Sequence, residues 1–421
     1  MPIAPLLSHV HHRIDHLEKP MVRFLAQFCA IATVNPPGDR YEECAAFLDR
    51  KLTQLGLTTR IVRVPLAQRL RLVPGSDNYP RPSVIARWDV GAPRTLLLTG
   101  HYDVVPATAG WKTDPFKPTL RAGKLIARGV SDMKGPDTAA IFAVQAMMQA
   151  GFIPPWNIEL AFTPDEETGG YAGLGYLAQN RHLHADAAIL LEGGAGRDIG
   201  YAHRGVLWIR ITVLGKAAHA SNPSNGINAL EKAITLIGQL KTLQRAYARR
   251  PSALLTNSPV ARRPTLMIGG ISGGGSKINT IPDRFSFTID RRLLPEDRLP
   301  QVKAEIMTII RQAQKRDRQL KVQVEYPLHV PPGWTDQRQM ICQVARKAVK
   351  AVLNKTPRFR MTGGFTDMHF LTHDAGIPTI GYGASGGGGI HADGEYLQIT
   401  GLLQTAKTYT EIIRRLPTDP A

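Results

Sequence analysis

Apolar residues recur along this chain in two rhythms, and the rhythm changes near residue 205. Before that point, short unbroken apolar runs alternate with stretches of helical spacing. "RTLLLTGH" (residues 94–101), "WNIELAF" (156–162) and "DAAILLEGG" (186–194) are mostly apolar and are followed by or end in polar or glycine residues. Strands buried on both faces read this way. "YEECAAFLDRKLTQLGL" and "DTAAIFAVQAMMQAGF" instead space their apolar residues three and four apart, the second ending at Gly151, as helices do. Strand alternating with helix predicts an α/β fold, a mainly parallel sheet with helices on both faces.

From residue 205 the pattern becomes half-buried. "VLWIRITVLG", "PTLMIGG", "RFSFTIDRR" and "KVQVEYP" read as strands. "GINALEKAITLIGQLKTLQRAYARR" and "PQVKAEIMTIIRQAQKR" read as amphipathic helices. Residues 205–328 are therefore expected to form an α+β unit inserted into a larger domain made of residues 1–204 and 329–421. The first rhythm resumes in the helix "QMICQVARKAVKAVL" and the strand "IPTIGYG".

Composition narrows the function classes. With 421 residues, 43% hydrophobic and 20% charged, the chain has the length for two or three domains and the balance of a folded protein. No apolar run has the length of a signal-peptide core or a membrane span, so a cytoplasmic protein with no membrane partner is expected. Cys29, Cys44 and Cys342 are too scattered for a disulfide framework or a Cys-x-x-Cys metal site. The net charge of +18 favours polyanions. Its basic pairs are nevertheless dispersed along the chain, which argues against a dedicated nucleic-acid protein.

Candidate chemistry gathers where strands end. "TPDEETGG" sets Asp165, Glu166 and Glu167 side by side after an apolar strand. Neighbouring like charges near a core raise one another's pKa unless a cation offsets them. "GHYDVVP" puts His101 and Asp103 two apart, on one face of a strand end. "ARGVSDMKG" supplies Asp132, "LLEGG" supplies Glu192, and the glycine-rich "GGGGIHADGE" holds His391. Each alone has an ordinary reading: a solvated acidic turn, a helix cap, a surface histidine. Together, two histidines and three carboxylates at strand ends suit a pair of divalent ions sharing one carboxylate.

"GHYDVVP", "RGVSDMKG", "DEETGG" and "GIHADGE" resemble, in order and spacing, the M20 metallopeptidases and deacylases, among them succinyl-diaminopimelate desuccinylase, acetylornithine deacetylase and carboxypeptidase G. The resemblance implies His101 and His391 as terminal metal ligands, Asp132 as the bridge, and Glu167 and Glu192 as the remaining ligands. It implies Glu166 as general base, Asp103 as the group orienting His101, and a cis peptide between Asp132 and Met133. Asp165 is read as a polar turn residue.

The inserted unit then corresponds to a lid and dimerisation domain. "GKAAHASNPSNGINAL" would carry His219 into the partner subunit's active site, and Asn279 and Arg292, in preference to Arg291, would hold the substrate carboxylate. The expected cofactors are two divalent ions, Zn²⁺ first, with Co²⁺ or Mn²⁺ as alternatives.

The expected activity is hydrolysis of an N-acyl amino acid bearing a free carboxylate, of the desuccinylase or deacetylase kind. "TGGFTDMHFL", with Asp367, leans towards the desuccinylases. A dipeptidase or carboxypeptidase acting on short peptides is the alternative, and a noncatalytic binding module a further one.

Overall fold

Four parallel strands set the plan of the larger unit. In the computed structural model, which describes residues 3–256 and 259–418, Asn157–Thr163, Thr95–His101, Ala187–Leu190 and Thr379–Gly381 lie side by side in that order. Every residue of all four is buried, which accounts for their unbroken apolar runs. Beyond this centre the sheet is antiparallel: Pro82–Trp88 pairs antiparallel with Asn157–Thr163, Thr58–Arg63 with Pro82–Trp88, and Asp198–His203 with Thr379–Gly381. The sheet is thus mixed, with a parallel core, rather than mainly parallel throughout. Of the flanking strands Thr58–Arg63 is partly exposed, whereas Pro82–Trp88 and Asp198–His203 are buried over most of their length.

Among the helices of this unit, Lys134–Gln149 is buried from Lys134 to Val144 without a break and packs on Ile399–Arg414. A helix apolar on every side belongs inside the fold. Its Lys134 is fully buried, and Nζ donates to the carbonyls of Phe28 (3.1 Å) and Ile31 (2.8 Å), fastening the end of helix Glu18–Ala30.

A small antiparallel sheet in the same unit went unread in the sequence. It joins Gly387–Gly388, Tyr396–Gln398, Lys124–Ile126 and Thr119–Arg121 in that order. Tyr396 lies opposite Ile126, so the loop after Ile126 and the loop before Tyr396 emerge together.

Contacts divide the chain into two units, one of Met1–Ala202, Gly333–Arg360 and Thr366–Ala421, the other of His203–Pro332 and Met361–Phe365. The second unit contains an antiparallel sheet in the order Thr265–Gly274, Arg284–Leu293, Gly205–Leu214, Lys321–Val330. Leu207, Ile209, Ile211 and Val213 alternate inward from one strand, and Val302, Ile306, Ile310 and Ala313 line the inner face of helix Leu299–Arg316. Helix Ala229–Tyr247 completes that core. No helix among the described residues is long and apolar enough to cross a membrane.

Candidate metal centre

Parallel strands deliver their carboxyl ends to one edge, and several of the candidate ligands follow those ends. His101 is the last residue of its strand and pairs with Thr163, the last of its neighbour. Glu166 and Glu167 follow Thr163 on a short 3-10 turn, and Glu192 follows the strand Ala187–Leu190. Asp132 stands on the loop after Lys124–Ile126, and His391 on the loop between Gly387–Gly388 and Tyr396–Gln398. The peptide from Asp132 to Met133 is cis.

These residues form two triads, His101 with Asp132 and Glu192, and Asp132 with Glu167 and His391; within each, the ligand atoms lie within 4.8 Å of one another. Asp132 faces both histidines, with Oδ1 3.4 Å from His101 Nε2 and Oδ2 3.3 Å from His391 Nε2. His391 Nε2 also lies 3.0 Å from Glu167 Oε1. The other ring nitrogen of His101, Nδ1, sits 3.3 Å from Asp103 Oδ1 and 3.1 Å from the Asp103 carbonyl oxygen. A carboxylate behind a ligating imidazole fixes its tautomer and aim.

Metal ions fit this donor set. His101 Nε2 and Glu192 Oε1 are buried without a hydrogen-bond partner, which is costly unless something accepts their lone pairs. The acids crowd as well. Burial, followed by the nearby Glu192, pushes the Glu166 carboxyl well above its ordinary value, and burial does the same to Glu192. Burial also lifts Asp367 to about 7. Burial works against ionisation of Asp132, yet the two imidazoles hold its carboxyl well below the usual range. Asp132 and Glu167 in turn raise His391 to about 10. So many acids around two imidazoles call for added positive charge, and the His/carboxylate set suits Zn²⁺-like ions.

Glu166 belongs to neither triad. It is 7% exposed, and its Oε2 lies 3.9 Å from His101 Nε2. Its turn is held by Asp103, which accepts the backbone N–H of Glu166 on Oδ1 and that of Glu167 on Oδ2, each at 3.2 Å. Asp165 stands at the turn, as expected of a polar turn residue, but is buried rather than solvated. It has a positive φ of 71° and is 1% exposed, with Arg81 Nε donating to its Oδ2 at 2.6 Å. Tyr41 Oη donates to its Oδ1 at 3.2 Å, and Asn35 Nδ2 donates to Asp103 (2.9 Å), Asp165 (3.2 Å) and Thr168 (3.0 Å). Burial lifts the Asp165 carboxyl to about 6 in spite of Arg81. The next bend is tight: a Cβ on Gly170 would run into the Asp367 carboxylate.

Of the expected site residues, His101, Asp103, Asp132, Glu166, Glu167, Glu192 and His391 thus converge in the larger unit. His219 and Asn279 meet in the second unit, Nε2 to Nδ2 at 3.4 Å, and both are exposed. Arg292 donates from Nε (2.9 Å) and Nη2 (3.2 Å) to Asp290. Arg291 is fully buried, stacked on Tyr247 at 4.0 Å and bonded to Asp297, a packing role that keeps it from solvent.

Sequence reading missed Asn35, Arg81, Arg128 and Glu395. The last two lay inside quoted motifs, "ARGVSD" and "HADGE"; Arg81 and Asn35 had no local signal, since their partner Asp165 is far along the chain.

Comparisons with known proteins identify the family. The description of peptidase family M20/M25/M40 matches residues 97–415. An uncharacterised metallohydrolase of Methanocaldococcus jannaschii is 26% identical over 415 residues, 93% of this chain and 98% of that protein. A probable succinyl-diaminopimelate desuccinylase of Staphylococcus epidermidis is 27% identical over 297 residues, 66% of this chain and 69% of its own. The solved structure of the dipeptidase Dug1p of Saccharomyces cerevisiae covers 97% of this chain and 98% of its own with a TM-score of 0.72 at 20% identity, which shows a common fold. With residues 97–415 matched by the family description, this chain belongs to peptidase family M20/M25/M40 and is a hydrolase acting on amide or peptide bonds.

Proposed function

We propose that this chain is a two-metal amidohydrolase that cleaves the amide bond of an N-acyl amino acid carrying a free carboxylate. The observation that carries the reading is Asp132, whose two oxygens face two different histidines in two triads. His101, Asp132 and Glu192 would hold one ion, and Asp132, Glu167 and His391 the other, Zn²⁺ being the metal this donor set favours. Bound there, such ions supply Lewis acidity to the substrate carbonyl and make water a stronger acid.

The protein's own groups do the rest. Glu166 takes a proton from water as its oxygen bonds to the carbonyl carbon, and returns that proton to the amine nitrogen as the C–N bond breaks. The products are a carboxylic acid and an amine. Asp103 holds the His101 ring and the Glu166 turn in one register.

From the second unit, His219, Asn279 and Arg292 are the proposed substrate contacts, Arg292 through a guanidinium fork suited to a carboxylate. Exchanging Asp290 for a substrate carboxylate would free that fork. The same unit is proposed as the lid and as the surface of a homodimer. Support comes from its exposed Ile234, Met267 and Ile271, the last two on the edge strand Thr265–Gly274.

A dipeptidase or carboxypeptidase reading is kept because the same site would cleave a peptide amide. The deciding experiment incubates chelator-stripped protein, reloaded with Zn²⁺, Co²⁺ or Mn²⁺, with N-succinyl, N-acetyl and dipeptide substrates. Metal-dependent cleavage of an N-acyl amino acid is expected. Cleavage of dipeptides alone would replace the deacylase reading.

A further inference from the structure

We propose that Glu395 is a positioning residue whose carboxylate couples the loop carrying Asp132 to the loop carrying His391, and so sets how tightly the triad of Asp132, Glu167 and His391 holds its ion. The inference rests on the metal reading of those triads.

Glu395 is fully buried and accepts four hydrogen bonds from one loop. Its Oε2 receives Arg128 Nη1 at 2.8 Å and the Gly129 N–H at 3.0 Å. Its Oε1 receives the N–H of Ser131 at 2.8 Å and of Asp132 at 3.1 Å. Its own carbonyl accepts the Ala127 N–H at 3.1 Å, continuing the pairing of Tyr396–Gln398 with Lys124–Ile126. The carboxylate therefore closes on the backbone nitrogen of the shared ligand.

The other loop is held, apart from Glu395, by Arg128 Nη1 on the Ala392 carbonyl (3.4 Å), by Thr108 on the Asp393 carboxylate and by the Ala392 N–H on the Gly389 carbonyl (2.9 Å). His391 has a φ of 60° and lies among Gly386, Gly389 and Gly394, all at positive φ, and its side chain is half exposed. Glycines there give the chain its turns but leave it conformationally free. Glu395, four residues after His391, is the buried anchor of that loop. A plain buried ion pair with Arg128 would need only Oε2. The use of Oε1 on the two N–H groups at Ser131 and Asp132 is what ties one ligand's position to the other's. Partners one step behind metal ligands typically change metal affinity by about 10- to 100-fold when removed.

The test uses the full chain, stripped with chelator and titrated with Co²⁺ by calorimetry and visible absorption, with metal per chain and thermal melting measured in parallel. The unaltered protein is expected to take two equivalents. Glu395→Gln keeps the shape but turns an amide N–H₂ towards backbone donors. It is expected to bind the second equivalent about 10- to 100-fold more weakly and the first, which shares Asp132 but not His391, with a clearly smaller loss. Glu395→Asp keeps the charge with a shorter reach and should fall between; if Glu395→Gln does not fold, this variant decides by the same criterion. A lowered melting temperature with both affinities unchanged, or equal weakening of both, overturns the proposal. Failure of the unaltered protein to bind Co²⁺ would instead remove the metal reading beneath it.

Discussion

The two triads share Asp132 and differ in what holds the rest. His101 is 2% exposed and ends a strand with parallel neighbours on both sides, with Asp103 against its second nitrogen. The His391 side chain is 50% exposed, on a loop of glycines. In the first triad the sheet itself positions the ligand. In the second, a turn flexible by composition must be tied down by a remote side chain. Precision at one edge of this sheet is therefore built in two ways, and the two ions are expected to bind with unequal affinity.

Glu166 stands outside both triads, so changing it separates chemistry from metal holding. Glu166→Gln should lower kcat by about 10²- to 10⁴-fold with both ions retained; substantial remaining turnover at full metal content would mean that another group is the base.

Next in size is the support beneath the strand-end triad. Arg81→Met leaves Asp165 buried without its cation, and breaking such a pair costs about 3–5 kcal/mol. A denaturant midpoint close to that of the unaltered protein would show that Asp165 finds another partner. Asp103→Asn is the counterpart of the Glu395 change on the opposite side. It should weaken the ion of the His101 triad by about 10- to 100-fold and the other ion by less, through the Glu167 N–H that Asp103 Oδ2 also accepts, as read by metal titration.

The smallest effect concerns Asp137, buried against Gly100 with neither oxygen hydrogen-bonded. Burial raises its carboxyl well above the ordinary value. The folded state thus keeps a proton that the unfolded chain gives up above about pH 4, so the stability from this group is complete below that pH and is lost as pH rises through the folded value. Asp137→Asn should raise the melting temperature by roughly a few degrees at pH 8, with a smaller gain at pH 5. An equal shift at both pH values would assign the effect to packing alone.

What the sequence made legible follows the same division. Mostly apolar runs ending in His101, Glu166–Glu167 and Glu192 announce strand ends, because burial on both faces leaves few polar positions, such as Glu159, before the edge. The helical and alternating stretches of the second unit were equally readable, each having one wet face. The antiparallel flanks were not, since a run of apolar residues carries no direction. The small sheet joining Lys124–Ile126 to Tyr396–Gln398 was invisible because its strands are two or three residues long. Asp165 looked like part of a solvated turn because the cation that buries it, Arg81, is distant in sequence.

The most direct measurement is of bound metal and hydrolysis on the same samples, as chelator-stripped protein is titrated with Zn²⁺ in the presence of an N-acyl amino acid. The account predicts no turnover without metal, two ions per chain at saturation, and hydrolysis that rises as they bind. Undiminished turnover in metal-free protein, or saturation at a single ion with full activity, would contradict it.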